Sequence, residues 1–164
     1  MDFYHIDEAY IAYLRAADSR VPENKGGKRP YIGIVLAVEE IDYFVPMTSP
    51  KPKHLKMKNG KDFRKIDQGR LGAINFNNMI PAPKDVVQKI DISSEPDPKY
   101  KRLLQNQYIA IRSDQQNIEK TARLLRQLIL SEDKELTTHD RAIKQRCCDL
   151  RLLESISQQY PVKN

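Results

Sequence analysis

The stretch YIGIVLAVEEIDYFVPM, residues 31–47, holds two apolar runs of strand length on either side of an acidic pair. Residues 31–38 are almost continuously apolar and rich in β-branched side chains, which predicts a strand buried on much of both faces. Residues 41–47 predict its antiparallel partner across a tight Glu39–Glu40 turn, with Pro46 placing the end of that strand at an edge or bulge. Toward the N-terminus, Asp7 precedes EAYIAYL, a capped helix ending near Asp18 with Ile6, Tyr10, Tyr13 and Leu14 on its apolar face. Residues 19–30, punctuated by Pro22, Gly26, Gly27 and Pro30, read as a loop. Beyond the pair, Asn59-Gly60 marks a turn in a basic loop, LGAINFNNMI (71–80) resumes strand character, and residues 86–92 are a further candidate strand.

No glycine follows Gly72, and the pattern changes to helix. Asp97-Pro98 is a helix start, with Tyr100, Leu103, Leu104, Tyr108 and Ile111 at helical spacing behind it. Residues 113–116 are either a fresh capping box or the interior of a helix running toward Leu130, whose stripe is Ala122, Leu125 and Ile129. Thr137 to Asp140 resembles another capping box, before a final helix carrying Ile143, Cys147, Leu150, Leu152 or Leu153, and Ile156. Helix, short strands, then two or three helices make an α+β domain spanning 1–164. It is a small, strongly curved antiparallel sheet or barrel covered by helices, with a helical C-terminal third.

The 164 residues carry 28 Lys+Arg against 22 Asp+Glu, a formal charge of +6, with 40% hydrophobic residues, enough for a core. No apolar run is long enough to span a membrane, and MDFYHIDEAYIAYL lacks the basic and apolar regions of a signal peptide, so a cytoplasmic protein without membrane contact is expected. Neither GxGxxG nor GxxxxGK[ST] is present. Cys147 and Cys148 are adjacent, without nearby histidines for a zinc site, and fit core packing.

The charge is concentrated. Residues 51–70 hold eight basic side chains (Lys51, Lys53, Lys56, Lys58, Lys61, Arg64, Lys65, Arg70) and two acidic ones (Asp62, Asp67), a balance equal to that of the whole chain. Such a segment attracts a polyanion, and it equally suits a solvated loop. Immediately before it, Thr48-Ser49-Pro50-Lys51 follows a strand, placing two hydroxyls and an ammonium on a rigid base, with His54 close behind. The hydroxyls can donate to phosphate oxygens, the lysine can neutralise charge on a phosphoryl group, and His54 can transfer protons near neutral pH. A hairpin of 31–38 with 41–47 would bring Lys28 and Arg29 beside residues 46–51. Asn75 offers an amide, and Phe76 and Tyr31 offer rings that could position a base.

No metal-ligand spacing of histidines or EF-hand pattern occurs, so no cofactor is expected. Phosphodiester cleavage without metal needs a substrate that brings its own nucleophile, as RNA does in its 2′-hydroxyl. The general base stays open: a lysine near its ordinary pKa of about 10.4 is a poor base at neutrality, and His54 is the other candidate. Two further readings remain, a non-catalytic RNA- or DNA-binding module and a Mg²⁺-dependent nuclease using Asp62 and Asp67.

The sequence resembles the ToxN/AbiQ family, the endoribonuclease toxins of type III toxin–antitoxin systems. The carrying segments are FYHIDEAYIAYL (3–14), YIGIVL (31–36), VPMTSPKPKH (45–54), GRLGAINFNNMIP (69–81) and YKRLLQNQYIAIR (100–112). The resemblance implies a barrel similar to the MazF/Kid toxins with added helices. It implies sequence-selective, metal-independent cleavage of single-stranded cellular mRNA to 2′,3′-cyclic phosphate and 5′-hydroxyl ends, in a system that serves either phage defence by abortive infection or plasmid or chromosomal maintenance. The implied partner is a repetitive, pseudoknotted RNA antitoxin that the toxin itself processes and that closes with it into a hetero-oligomer. The family's active-site threonine, serine and lysine fall on Thr48, Ser49 and Lys51, and a further family lysine falls near Lys28 or Arg29. Lys53, His54, Lys56, Lys58, Lys61, Arg64 and Lys65 carry over as a general RNA surface.

Overall fold

The computed structural model describes residues 1–35 and 41–161. The expected Glu39–Glu40 turn and the end of the 31–38 strand lie outside them. The chain opens with β1 (Phe3–Ile6) and α1 (Glu8–Ala17), followed by the loop expected before Tyr31. β2 (Tyr31–Val35) and β3 (Asp42–Thr48) then pair antiparallel, with Tyr31 opposite Pro46 and Val35 opposite Asp42. Past β3 come a one-turn helix α2 (Pro52–Lys56) and the short strands β4 (Phe63–Lys65), β5 (Ala73–Asn75), β6 (Ile80–Pro81) and β7 (Val87–Lys89). Four helices finish the chain: α3 (Pro98–Ser113), α4 (Gln115–Leu130), α5 (Thr138–Arg146) and α6 (Leu150–Gln158).

The α+β class and the antiparallel pairing hold. The sheet runs β4-β5-β3-β2-β1-β7, with β6 on β3 beside β5. Among the described residues no pairing joins β4 to β7, so the sheet has two edges and is not closed into a barrel. β1 went unread in the sequence: only four residues long, it lies between β2 and β7 where a hairpin-only reading leaves a gap. The 71–80 run is two short strands divided by a 3₁₀ turn at Phe76–Asn78, and the 51–70 loop contains α2 and β4.

Capping explains where α3 and α5 start, whereas Asp7, expected to cap α1, makes no side-chain cap hydrogen bond. The Asp97 carboxylate accepts from the Lys99 and Tyr100 N–H groups, and Thr137 Oγ1 accepts from Asp140 N–H. The chain breaks at Asp114 between α3 and α4 rather than running through. The single final helix expected from the spacing is two helices. Cys147 adopts extended backbone, the Cys148 N–H donates to Asn77 O, and Asp149 caps α6 while its own N–H donates to the Asp18 carboxylate. These bonds stitch the break to the sheet side of the molecule. Both cysteines are buried, and burial pushes each thiol up to about 12, which keeps them protonated and inert. One apolar cluster joins strand residues such as Phe3, Ile32 and Val45 to helix residues such as Leu104, Leu125 and Leu153. A polar pin crosses it: Arg126 on α4 holds Glu154 on α6 at 2.9 Å, and both engage the Tyr43 hydroxyl on β3. Among the described residues no helix is long and apolar enough to cross a membrane.

Candidate active site

Strand β3 ends at Thr48, and SPKPKH turns the chain into α2. A residue before proline is driven to extended backbone, and Lys51 sits at φ −135°, ψ 148°. Pro52 then supplies the first helical residue with φ already set. The turn is seated on the backbone of residues 66–72. Gly72, at φ +99°, would carry a Cβ 2.0 Å from the Thr48 carbonyl oxygen, and Gly69, at φ +95°, one 2.5 Å from the His54 carbonyl oxygen. Two chain segments thus meet at a distance that a side chain forbids. Gly72→Ala is expected to destabilise by about 3 kcal/mol through positive-φ strain and overpacking, read from the urea midpoint. Gly26→Ala, at φ +66° with open space around it, is the control and should lose about 1 kcal/mol. Equal midpoints for the two variants would contradict the close-approach argument.

His54 is 2% exposed, beneath this turn. Its Nδ1 accepts from the Lys51 N–H at 3.2 Å, and its Nε2 lies 3.4 Å from Thr48 Oγ1. The acceptor role of Nδ1 assigns the proton to Nε2, so the imidazole donates to Thr48 Oγ1. The threonine's own hydroxyl proton is then released to point outward. Burial, reinforced by Lys53 and Lys51, pushes His54 below the usual histidine range and keeps it neutral at pH 7.

The β2–β3 register returns the preceding loop to this strand end, where the Met47 N–H donates to Pro30 O at 3.1 Å. Lys28, Arg29, Thr48 and Ser49 line one cleft of about 120 Å³. Arg29 Nε donates to Glu23 O at 2.8 Å, which fixes the guanidinium, while Lys28 is exposed. Lys51 stands exposed two residues past Ser49, at the start of α2. A second wall comes from α3, through Tyr100, Leu103 and Gln107, and Lys25 also lines the cleft. Sequence reasoning missed these four. Tyr100 and Leu103 read as core stripe, and the one available signal was Gln107, a buried polar residue among apolar positions of the helix.

Other expectations change. Tyr31 and Phe76 are both 0% exposed, so neither ring can stack on a base without opening the core. Tyr31, the first residue of β2, has its hydroxyl buried and unpartnered among the described residues, and Phe76 packs in the apolar cluster. The basic surface is smaller than its composition suggests. Lys61 pairs with Asp140 at 2.6 Å, Arg64 grips both oxygens of Asp114, and Arg70 pairs with Asp67. Lys65 and Asn75 are half-buried on β4 and β5, whereas Lys53, Lys56 and Lys58 are exposed beside Lys51. Asp62, the first carboxylate of the Mg²⁺ reading, is buried and held by Arg146 at 2.6 and 2.9 Å; the second, Asp67, is held by Arg70.

The chain as a whole has relatives among known proteins. The family model for Toxin ToxN of type III toxin–antitoxin systems matches residues 2–158. The chain belongs to the ToxN family. It is 33% identical over 162 residues to Endoribonuclease ToxN of Bacillus thuringiensis subsp. kurstaki, covering 96% of this chain and 83% of that one. It superposes at TM-score 0.86, with 32% identity, on a type III toxin whose structure concerns selective inhibition by a non-coding RNA pseudoknot, covering 97% of this chain and 96% of the other. It superposes at TM-score 0.77, with 25% identity, on AbiQ, a lactococcal anti-phage endoribonuclease of a type III system, covering 97% and 96%. The family match runs through the helical third that the sequence segments left out.

Proposed function

We propose that this chain is a metal-independent endoribonuclease toxin, acting as a single domain, that cuts single-stranded RNA at the Thr48–Lys51 turn. The observation that carries the reading is the meeting, in one cleft, of two hydroxyls on a strand end with cations returned from the preceding loop. The substrate 2′-hydroxyl attacks the adjacent phosphorus in line with the departing 5′-oxygen, leaving a 2′,3′-cyclic phosphate and a 5′-hydroxyl. Thr48 and Ser49 donate to the non-bridging oxygens, the Thr48 proton being aimed by His54. Lys51 neutralises the charge that develops on the phosphorane from one side, and Lys28 and Arg29 from the other. The exposed Lys53, Lys56 and Lys58 continue the path of the backbone away from the cleft.

The family relationship supports the partner. The chain acts in the cytoplasm on cellular mRNA and is restrained by a repetitive pseudoknotted RNA that it cuts into units, the two closing into a hetero-oligomer. Phage defence by abortive infection is the role that fits its likeness to AbiQ.

The test is cleavage of a mixed-sequence single-stranded RNA by the wild-type chain in excess EDTA, with the product ends analysed. Undiminished cutting with cyclic phosphate and 5′-hydroxyl ends is expected. Cutting that appears only on adding Mg²⁺ would transfer the chemistry to carboxylates. Binding without cutting under either condition would reduce the chain to an RNA-binding module.

A further inference from the structure

The cleft beside Thr48 and Ser49 has two unlike walls, and the second is unaccounted for by phosphate chemistry. It is built on the first turns of α3, and its placement is rigid. The Asp97 carboxylate caps the helix at the Lys99 and Tyr100 N–H groups, setting Tyr100 in the first turn. Two turns on, Gln107 is 3% exposed and its Nε2 donates to Leu71 O at 2.9 Å. Leu71 immediately precedes the Gly72 that seats Thr48, so α3 is tied to the same turn that carries the hydroxyls. With its nitrogen engaged, the Gln107 amide cannot flip. Its Oε1 accepts from no group among the described residues and remains an acceptor on the cleft wall.

An aromatic ring, an aliphatic side chain and a fixed amide acceptor, lining the same cleft as the Thr48 and Ser49 hydroxyls, are the parts that hold a nucleobase. Tyr31 and Phe76 are sealed in the core, whereas Tyr100 is half-buried and lines the cleft. We propose that the β3–α3 cleft is the subsite for one nucleoside adjoining the scissile phosphate, with Tyr100 as the stacking surface and Gln107 Oε1 accepting a base N–H; this rests on the ribonuclease reading of the same site. Every base has a π-face and an edge N–H, so the subsite fixes position and unpairs the base more than it reads its identity. It also explains a requirement for single strands, because a base held in a duplex cannot enter between a strand end and a helix.

The test uses the full chain and small probes, so that it does not depend on cleavage. Inorganic phosphate and the four nucleoside 3′-monophosphates are titrated by calorimetry into wild type, Tyr100→Phe, Tyr100→Trp and Tyr100→Leu. Wild type, Y100F and Y100W are expected to bind the nucleotides about ten-fold tighter than phosphate, in line with one stacked base. Y100L preserves the apolar packing and removes the π-face, so it should lose that gain while holding phosphate as wild type does. The unchanged phosphate affinity certifies that its site is folded. Equal affinity of wild type for phosphate and nucleotides, or a gain retained in Y100L, would overturn the subsite even if the chain cuts RNA. Failure to cut RNA, with the nucleotide gain intact, would overturn the activity and leave the subsite standing.

Discussion

Lys51→Ala is expected to slow RNA cleavage about 10³-fold in single-turnover assays, with far-UV CD and urea midpoint unchanged. The ammonium stands exposed at the head of α2, outside the core, so its removal takes away no packing. In the proposed mechanism Lys51 meets the charge that accumulates on the phosphorane, and removing one preorganised electrostatic partner of that kind costs about 10²–10³ in rate. Lys51→Arg keeps the charge with a broader, differently shaped head and should recover part of the loss. The loss belongs in the chemical step, so saturating enzyme must not restore the rate. A variant that cuts at the wild-type maximal rate and only binds RNA more weakly would make Lys51 one phosphate contact among several.

His54 gives the second large effect, with the opposite cause: it is buried and acts through its neighbours. His54→Ala should reduce cleavage about 10²-fold, since it frees the Thr48 hydroxyl to rotate and leaves the Lys51 N–H without its acceptor. Asparagine at this position places Oδ1 near the site of Nδ1 and can keep the Lys51 bond, so His54→Asn should retain more activity than His54→Ala. A general base at position 54 predicts the reverse, with both variants equally dead. The pH profile separates them further. Because burial and the two lysines lower the imidazole pKa, the folded chain binds its proton less readily than the unfolded chain. The contribution of His54 to stability is therefore complete above the unfolded value of about 6.5 and is lost as pH falls from there through the lowered folded value. Wild-type activity should fall as pH drops through the lowered folded value, because a proton on Nδ1 removes the acceptor for Lys51. His54→Asn should be flat there, and an identical acid limb in that variant would dispose of the bridge.

What could be read from the chain follows physical range. The β2–β3 pair and the Asp97 and Thr137 caps are local patterns, and each is where its spacing put it. The convergence of Lys28 and Arg29 on Thr48 followed from hairpin register alone. The open sheet order and the insertion of β1 depend on pairings between distant segments that no local pattern encodes. Cys147–Asp149 shows the same limit: apolar periodicity runs through it, but long-range bonds to Asn77 and Asp18 draw the backbone out of helix. At the site, hydroxyls and charges were legible by type and position, whereas exposure was not. Tyr31, Phe76 and Tyr100 are equivalent as letters, and only packing makes Tyr100 the one that lines a cleft.

The ion pairs that thin out the basic segment have a consequence for which RNA it would hold best under the proposed function. Lys61–Asp140, Arg64–Asp114 and Arg146–Asp62 clasp residues 61–64 onto the helices, so the surface between them is ordered before any ligand arrives. Binding then removes little conformational freedom from the protein, and the entropy lost on association falls on the nucleic acid. A flexible strand loses that freedom in full each time it docks, whereas an RNA already folded into a complementary shape lost it on folding. Of two RNAs with equal charge, the prefolded one holds this surface longer, which suits an inhibitor, and the pliant one leaves sooner, which suits a substrate.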